Sequence, residues 1–333
     1  MKAAFKKGQA VILKDIPSRP LAPDQIRVRI KACGICGSDL HINPAEGDKE
    51  QAFGHEIAGV IDEVGPAVLG LEPGQNVVLE SSSACGRCAA CRNANQELCT
   101  AVTSFFFINS LGFAEEMIAP AISAIPCEDL PPDVACLSEP LGVAIDIVRL
   151  ADVRPTSNVL VIGAGPIGLM ALSLVKRMGA RRVFLSAFNR AKARVNAALD
   201  LGVDRAVDPS EAPLDKVDFG CGIDRVLVTA PPPTLTDAFN VASLGGIISF
   251  IGIGYGDNAF CRFDANKFHF KKLQLRASYA SPALCTPLAL QYLREGVVNG
   301  PALISHRFKL DQMTDAIATA RDSSVALKVI VEP

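Results

Sequence analysis

The sequence has neither a long apolar run nor an excess of charge of one sign. Its apolar stretches are short and end at glycines and prolines, whereas a membrane-spanning helix needs about 20 apolar residues. The N-terminal segment turns polar again too soon for a secretion signal. The formal net charge of −2 gives no reason to expect nucleic acid or a membrane surface as a partner. We therefore predict a cytoplasmic protein that binds neither nucleic acid nor membranes.

Cysteine, by contrast, is abundant, since the chain contains 11. An odd number, partly clustered and without a secretion signal, argues against a disulfide framework. Some of the cysteines stand at spacings typical of metal ligands. The remainder are scattered, and we predict that they are buried as small apolar residues; they are Cys33, Cys127, Cys136, Cys221, Cys261 and Cys285.

The chain of 333 residues is long enough for two domains. Up to about residue 140, short segments such as residues 25–32 alternate polar and apolar positions between turns rich in glycine and proline, which indicates a β-rich domain. From residue 158 onward, apolar strands alternate with helical segments, an order typical of a doubly wound parallel sheet. The predicted fold class is α/β.

Four cysteines lie close together in one polar segment. Their thiolates can close a tetrahedron around zinc and leave no open position, so the predicted role is structural. Four unliganded thiols in one short loop would be an oxidation hazard, which argues against the alternative without metal. The four residues are Cys85, Cys88, Cys91 and Cys99.

A second set of metal-type residues is dispersed. Cys36 follows a flexible glycine, His55 and Glu56 begin a predicted strand, and Glu139 stands between apolar segments, where an unpaired carboxylate would be costly. Sulfur, nitrogen and oxygen ligands from three segments, with one position left for water or substrate, form the catalytic arrangement of zinc. A lone histidine is more often a core residue than a ligand, so this prediction depends on the set as a whole.

A glycine-rich turn directly follows an apolar strand and opens a helix. Its glycines permit a tight turn and the close approach of a pyrophosphate, which the N-terminus of the helix stabilises. The motif alone matches many loops by chance, but here the strand, the helix and the following strand are all present. We predict that a dinucleotide binds at this turn, through Gly163, Gly165, Pro166, Ile167 and Gly168.

Together these motifs resemble the zinc-containing medium-chain dehydrogenase family over essentially the whole chain. The segment SEPLG resembles the polyol (sorbitol) dehydrogenase branch, because the simple-alcohol branch has a cysteine ligand there. The markers are CGICGSDLH at residues 33–41, GHEIAGVIDEVG at 54–65, the four-cysteine segment, SEPLG at 138–142 and GAGPIG at 163–168.

The resemblance implies a division of the chain into two domains. Residues 1–142 and 277–333 would form a GroES-like, β-rich catalytic domain that carries a structural zinc lobe at residues 85–99. Residues 143–276 would form a Rossmann domain with a doubly wound parallel sheet. We also expect a homo-oligomer, either a dimer or a tetramer.

The resemblance further implies a ligand set for a catalytic zinc, namely Cys36, His55 and Glu139. Glu56 would be an adjacent ligand, or would exchange with Glu139 and water, and we count it among the catalytic residues. Together with the structural site, this predicts two zinc ions per chain.

Ser38 and His41 match the serine and histidine that relay the substrate proton to solvent in the family. Zinc lowers the pKa of a bound alcohol, Ser38 accepts the proton, and hydride passes to the nicotinamide. Taken alone, Ser38 could equally be a turn hydroxyl and His41 a surface residue.

The end of the second Rossmann strand departs from the pattern expected of an NAD site. An acidic residue there hydrogen-bonds the ribose, but Ala187 fills the place. Arg190 and Lys192 follow, and they are as well suited to a solvated helix start as to phosphate contact. The cofactor is NADP or NAD, and we predict that NADP is used at least as well.

The predicted function is that of a zinc-dependent oxidoreductase linked to NAD(P), acting on a small secondary alcohol or ketone. A polyol, cyclitol or sugar derivative is the favoured substrate. A threonine-type amino-alcohol dehydrogenase is an alternative, because EPLG also suits that branch. A non-catalytic zinc- and nucleotide-binding sensor is another, although a sensor needs no proton relay.

Overall fold

The structure is a computed structural model, in which the chain forms two compact units. It describes residues 1–40, 49–105, 111–282 and 285–333. Unit 1 comprises Met1–Gly142, Ala280–Arg321 and Lys328–Pro333. Unit 2 comprises Val143–Tyr279 and Asp322–Leu327.

Eighteen strands run through the described residues. They are β1 Lys2–Lys7, β2 Ala10–Asp15, β3 Gln25–Gly34, β4 Gln51–Ala52, β5 Glu56–Val64, β6 Asn76–Leu79, β7 Ser82–Ser83, β8 Thr103–Ser104, β9 Glu116–Pro120, β10 Ala124–Pro126, β11 Asn158–Ile162, β12 Arg182–Ser186, β13 Arg205–Val207, β14 Ile223–Val228, β15 Ala242–Phe250, β16 Gln274–Ala277, β17 Ile304–Lys309 and β18 Lys328–Glu332.

The α-helices of the same residues are short. None of them is long and apolar enough to cross a membrane. They are α1 Gly37–Leu40, α2 Ala89–Arg92, α3 Pro132–Ala135, α4 Ser138–Leu150, α5 Pro166–Arg177, α6 Lys192–Asp200, α7 Leu235–Val241, α8 Ala265–Phe270, α9 Thr286–Arg294, α10 Gly300–Leu303 and α11 Met313–Arg321.

Unit 1 is built around a sheet with the order β10-β6-β5-β3-β18-β17, to which β9 is added through β3. The alternation of polar and apolar positions predicted for residues 25–32 is confirmed, since Ile26, Val28 and Ile30 are all buried. The antiparallel register sets Gly34 opposite Glu56 on β5. The C-terminal end of β3 and the start of β5 are therefore neighbours, although about 20 residues separate them in sequence.

Unit 2 contains a six-stranded parallel sheet with the order β13-β12-β11-β14-β15-β16. Numbered within the unit, this is 3-2-1-4-5-6, the order of the Rossmann fold. All five residues of β11 are buried, as expected of a parallel strand covered on both faces. The predicted α/β class, with a β-rich part and a Rossmann part, is confirmed.

The helix α4 was missed by the sequence analysis. The helix runs from Ser138 to Leu150 although it contains Pro140 and Gly142, residue types that are unfavourable in the interior of a helix. Pro140 lies in its first turn, where a backbone N–H has no helical partner in any case.

The six scattered cysteines divide evenly. Cys33, Cys127 and Cys136 are buried as predicted. The prediction was wrong for the other three, which are only half-buried; they are Cys221, Cys261 and Cys285. Cys221 lies in the turn that precedes β14, where part of the side chain remains in contact with solvent.

The short segment Asp322–Leu327 clusters with unit 2, although the sequence-based division had placed it in the first domain. There the carbonyl of Ala326 accepts a hydrogen bond from Arg194 Nε at 2.9 Å. A contact between residues so distant in sequence leaves no local pattern.

Candidate active site

The four-cysteine segment folds into a compact cluster. One sulfur atom from each of its cysteines lies within 4.8 Å of the other three. Backbone N–H groups point at the sulfurs, from Cys85 to Cys99 Sγ at 3.3 Å and from Cys88 to Cys85 Sγ at 3.3 Å. The amide of Cys91 donates to Cys88 and lowers the pKa of that thiol to about 5. Such bonds favour the thiolate, the form in which cysteine binds zinc, at Cys85 and Cys88, whereas burial raises the pKa of Cys91 to about 12.

A second cluster lies at the junction of β3 and β5. Ligand atoms of Cys36, His55 and Glu56 are all within 4.8 Å of one another. Cys36 follows the end of β3, and Glu56 begins β5, so the pairing of these strands brings the residues together. The backbone turns at Gly54 with a φ of +89°, a left-handed conformation that favours glycine.

Glu139 lies at the start of α4 and faces the same cluster, but its carboxylate is not part of the tight group. Burial raises the pKa of Glu139 to about 8; His55 opposes this rise, whereas Glu56 and Cys36 add to it. Its carboxylate is therefore close enough to respond to all three residues. Whether Glu56 or Glu139 is the ligand in the resting protein stays a prediction.

Two residues near this cluster were missed by the sequence analysis. Asp39, which is 6% exposed, accepts a hydrogen bond from the Cys36 amide at 2.8 Å. Its other oxygen lies 3.9 Å from His55 Nδ1. A carboxylate behind a metal-binding histidine orients the ring and increases its basicity. The signal was an acidic residue within the CGICGSDLH segment.

The second missed residue is Lys328, which is 2% exposed and forms an ion pair with Glu56. Its only local signal is a lysine at the start of an otherwise apolar strand, KVIVE. A charged residue at such a position is rarely buried without a partner. The partner lies 272 residues away, so the sequence could not identify it.

Ser38 lies in α1, half-buried beside the cluster. Burial raises the pKa of the Cys36 thiol to about 11, and a hydrogen bond with the Ser38 side chain opposes that rise. The hydroxyl is therefore next to a predicted metal ligand, as a proton acceptor for substrate must be. His41 lies outside the described residues.

In unit 2 the glycine-rich turn has the shape that the motif predicts. Gly163 adopts a φ of +111°, and a side chain on Gly168 would overlap the Gly163 carbonyl. A side chain on Gly165 would point into open space, which is the space a pyrophosphate needs. The helix α5 begins at Pro166 without a side-chain cap, which leaves amides available to an anion.

Ala187 follows β12, where the expected acidic residue is absent. Arg190 is exposed, with its guanidinium carbon 4.2 Å from the centroid of the Phe188 ring. Two carboxylates reach this region through Asn189: Asp208, which follows β13, accepts a bond from the Asn189 backbone amide at 2.6 Å, and Glu211 accepts one from the Asn189 side chain at 2.8 Å. The bond from the backbone amide, and to a smaller extent Arg190, lowers the pKa of Asp208.

The last of the predicted cofactor residues, Lys192, is exposed and begins α6. The structure thus gathers the predicted nucleotide residues at the carboxyl ends of β11 and β12, where ligands bind in open α/β sheets.

Comparisons with known proteins agree with this arrangement. Residues 22–129 match the alcohol dehydrogenase GroES-like domain family, and residues 166–292 match the zinc-binding dehydrogenase family. An L-idonate 5-dehydrogenase from Vitis vinifera is 31% identical over 332 residues, covering 93% of this chain and 88% of the relative. An L-threonine 3-dehydrogenase from Rhizobium etli (strain CIAT 652) is 29% identical over 346 residues, covering 100% and 98%.

Solved structures share the fold over the whole chain. An alcohol dehydrogenase from Escherichia coli CFT073, in complex with NADH, superposes with a TM-score of 0.86 at 27% identity and covers 100% of this chain and 99% of its own. A protein from Sinorhizobium meliloti 1021, described as a zinc-binding dehydrogenase and bound to NADP, gives 0.88 at 27% identity with the same coverage. The chain therefore belongs to the zinc-containing medium-chain dehydrogenase family and is an oxidoreductase.

Proposed function

We propose that the protein transfers hydride between a nicotinamide dinucleotide and a secondary alcohol or its ketone, with a polyol, cyclitol or sugar derivative as substrate. The observation that carries the proposal is the grouping of Cys36, His55 and Glu56 within 4.8 Å, with Glu139 close by. Sulfur, nitrogen and oxygen donors in one group, half-buried at Cys36 and buried at His55 and Glu56, fit zinc. Three such ligands would leave one of the four positions of zinc for a substrate oxygen. Zinc bound there would supply a Lewis acid that makes a substrate hydroxyl more acidic.

The chain's own residues supply the other parts of the reaction. The hydroxyl of Ser38, next to Cys36, would accept the proton of the substrate. His41 would pass that proton on to solvent. Asp39 would fix the orientation of the His55 ring.

Unit 2 would hold the cofactor. The turn formed by Gly163, Gly165 and Gly168, together with Pro166 and Ile167 at the start of α5, would bind the pyrophosphate. No acidic side chain stands at Ala187, so a 2′-phosphate would meet no repulsion there. The exposed cations Arg190 and Lys192 would pair with that phosphate. On this basis NADP is used at least as well as NAD.

A threonine-type amino alcohol is the second candidate substrate. It is favoured by the R. etli relative, an L-threonine 3-dehydrogenase whose likeness covers the whole chain. The V. vinifera relative, an L-idonate 5-dehydrogenase, favours a sugar acid or polyol instead. The site contains two carboxylates, Glu56 and the nearby Glu139, and this donor set is compatible with either class.

The test is a steady-state assay of the wild-type protein with a panel of polyols, cyclitols, sugar acids and L-threonine, each with NAD and with NADP. We expect turnover with at least one polyol or sugar acid. Turnover of L-threonine alone would establish the second candidate. A zinc-loaded protein that binds nucleotide and turns over nothing in the panel would instead support a sensor.

The metal requirement is tested separately by mild chelation. We call the predicted zinc site at Cys36, His55 and the two glutamates the mixed site. Because it would keep an open position, it should lose zinc before the four-cysteine site, and activity should disappear with the first ion. Full activity in protein that holds no zinc would refute the proposal. Glu139→Ala should weaken zinc retention at the mixed site; unchanged retention would mean that Glu56 alone supplies the oxygen ligand.

A further inference from the structure

Lys328 and Glu56 form a buried ion pair in unit 1. Their exposed fractions are 2% and 0%. Lys328 Nζ donates to Glu56 Oε1 at 2.5 Å and to the carbonyl of Ile35 at 2.9 Å, and it is also paired with Glu56 Oε2. Removing one partner of such a pair leaves an uncompensated buried charge. Each of the two buried charges is therefore stable only while the other is present.

The sheet is shaped to hold this pair. Gly34 on β3 stands opposite Glu56 on β5 and opposite Ile330 on β18. A side chain at Gly34 would overlap Glu56 Oε2 and come within 2.9 Å of Lys328 Cε. The glycine thus leaves the space that the ion pair fills.

The pair adjoins the proposed zinc site. Glu56 is itself one of the three clustered residues, with Cys36 and His55. Burial raises the pKa of Cys36 and of Glu139, and the ammonium of Lys328 opposes the rise in both. The positive charge of Lys328 therefore acts on Cys36 and Glu139 as well as on Glu56.

We propose that Lys328 is a positioning residue that neutralises Glu56 and thereby sets how tightly the mixed site holds zinc. The inference rests on the proposed function, because it requires zinc at Cys36 and His55. With Lys328 in place, Glu56 is held by an ammonium and would be kept from the open position of a bound zinc ion. The thiolate of Cys36 and the carboxylate of Glu139 would then be the groups left to balance the two charges of the ion.

Removing the positive charge of Lys328 and removing the negative charge of Glu56 should change the rate of zinc release in opposite directions. Lys328→Met leaves three anionic groups around a dication, so zinc should leave more slowly, and turnover should fall because Glu56 can fill the open position. Glu56→Gln leaves a bare ammonium beside the site, so zinc should leave faster. The double variant Lys328→Met/Glu56→Gln has a neutral pair and should return to the wild-type rate.

The measurement is the rate of zinc release to an excess of chelator, followed with a zinc-sensitive dye. The phase that belongs to the mixed site is the one that disappears in Cys36→Ala. We expect changes of about tenfold or more, in opposite directions, for the two single variants. Lys309→Met is the matched control, because it breaks an exposed lysine–glutamate pair on β17 and β18 and should leave the rate unchanged.

Faster release in both single variants would show a merely structural pair and would overturn the proposal. If Lys328→Met does not fold, Glu56→Gln and the double variant are compared instead. Zinc release that is as fast in the double variant as in Glu56→Gln would contradict the proposal. A wild-type protein with no zinc in the mixed site would instead refute the proposed function. The two failures are therefore distinguishable.

Discussion

Ser38 is the residue on which the proposed proton transfer depends. Its hydroxyl is bonded to the Cys36 thiol but is not itself among the clustered ligand atoms. Ser38→Ala should therefore lower turnover by about 10²–10⁴-fold, the usual contribution of a well-placed acid–base group, while the zinc content stays that of the wild type. Steady-state kinetics and metal analysis on the same sample check both parts.

The matched control for this variant is Ser18→Ala. Ser18 is an exposed serine of unit 1 that bonds Glu116 and Arg27 on the surface, and its loss should leave turnover unchanged. Unaltered turnover in Ser38→Ala would mean that the substrate proton leaves by another route.

Ala187 is the residue on which the proposed use of NADP depends. An aspartate there would repel a 2′-phosphate and offer hydrogen-bond acceptors to a free ribose. We expect Ala187→Asp to lower kcat/KM for NADP by about tenfold or more, equivalent to about 1.4 kcal/mol, and to spare NAD. Paired titrations with the two cofactors measure the change.

The matched control is Ala180→Asp, which adds the same charge just before the start of β12, at the opposite end of the strand from Ala187. It should leave the cofactor preference unaltered. A wild-type preference for NAD of tenfold or more would show that Arg190 and Lys192 do not face the ribose.

Among the elements, the four-cysteine segment has little regular structure of its own. Apart from the single turn of α2, it contains only a short 3₁₀ turn at Gln96–Leu98. Because a closed zinc site contributes folding free energy, Cys88→Ser should lower the unfolding temperature by at least about 5 °C and release one zinc ion. Calorimetry and metal analysis test this.

Cys221→Ser is the control, since Cys221 is half-buried in unit 2 and outside both clusters. An equal loss of stability in the two variants would show that the effect of Cys88→Ser does not come from metal.

Local patterns explain why much of the fold could be predicted. The alternating segment predicted at residues 25–32 is observed within β3, Gln25–Gly34, because the alternation of polar and apolar side chains is itself the pattern of a half-buried strand. The helix α4 was missed because proline is unfavourable in the interior of a helix, whereas the structure places Pro140 in the first turn, where it is tolerated.

The candidate site was predictable only where its residues stand in short motifs. Cys36, His55 and Glu56 occur in recognisable segments, and the structure groups them. Lys328 lies on a distant strand, and its contact with Glu56 depends on strand pairing that no local pattern encodes. Asp39 is an intermediate case. Its position within a motif is visible in the sequence, but its hydrogen bond with Cys36 is not.

For the whole molecule, the expected homo-oligomer remains a prediction, and the edge of the unit 2 sheet suggests where the copies would meet. Within the described residues β16 is the last strand of that sheet and has an unpaired edge. Large apolar side chains on or near β15 and β16 are exposed, with Leu244 at 71%, Phe270 at 73% and Tyr279 at 65%. An open edge with apolar surroundings favours pairing with a second copy.

We therefore expect light scattering to give twice the mass of one chain or a multiple of it, through an interface that uses β16 in both copies. Leu275 lies on β16 and is 40% exposed, so Leu275→Lys should place like charges against each other across a two-fold axis and release monomers. Circular dichroism should show the fold unchanged. Leu69→Lys, at an exposed position of unit 1, should leave the mass as in the wild type. A monomeric wild type, or an assembly that survives Leu275→Lys, would exclude this edge as the interface.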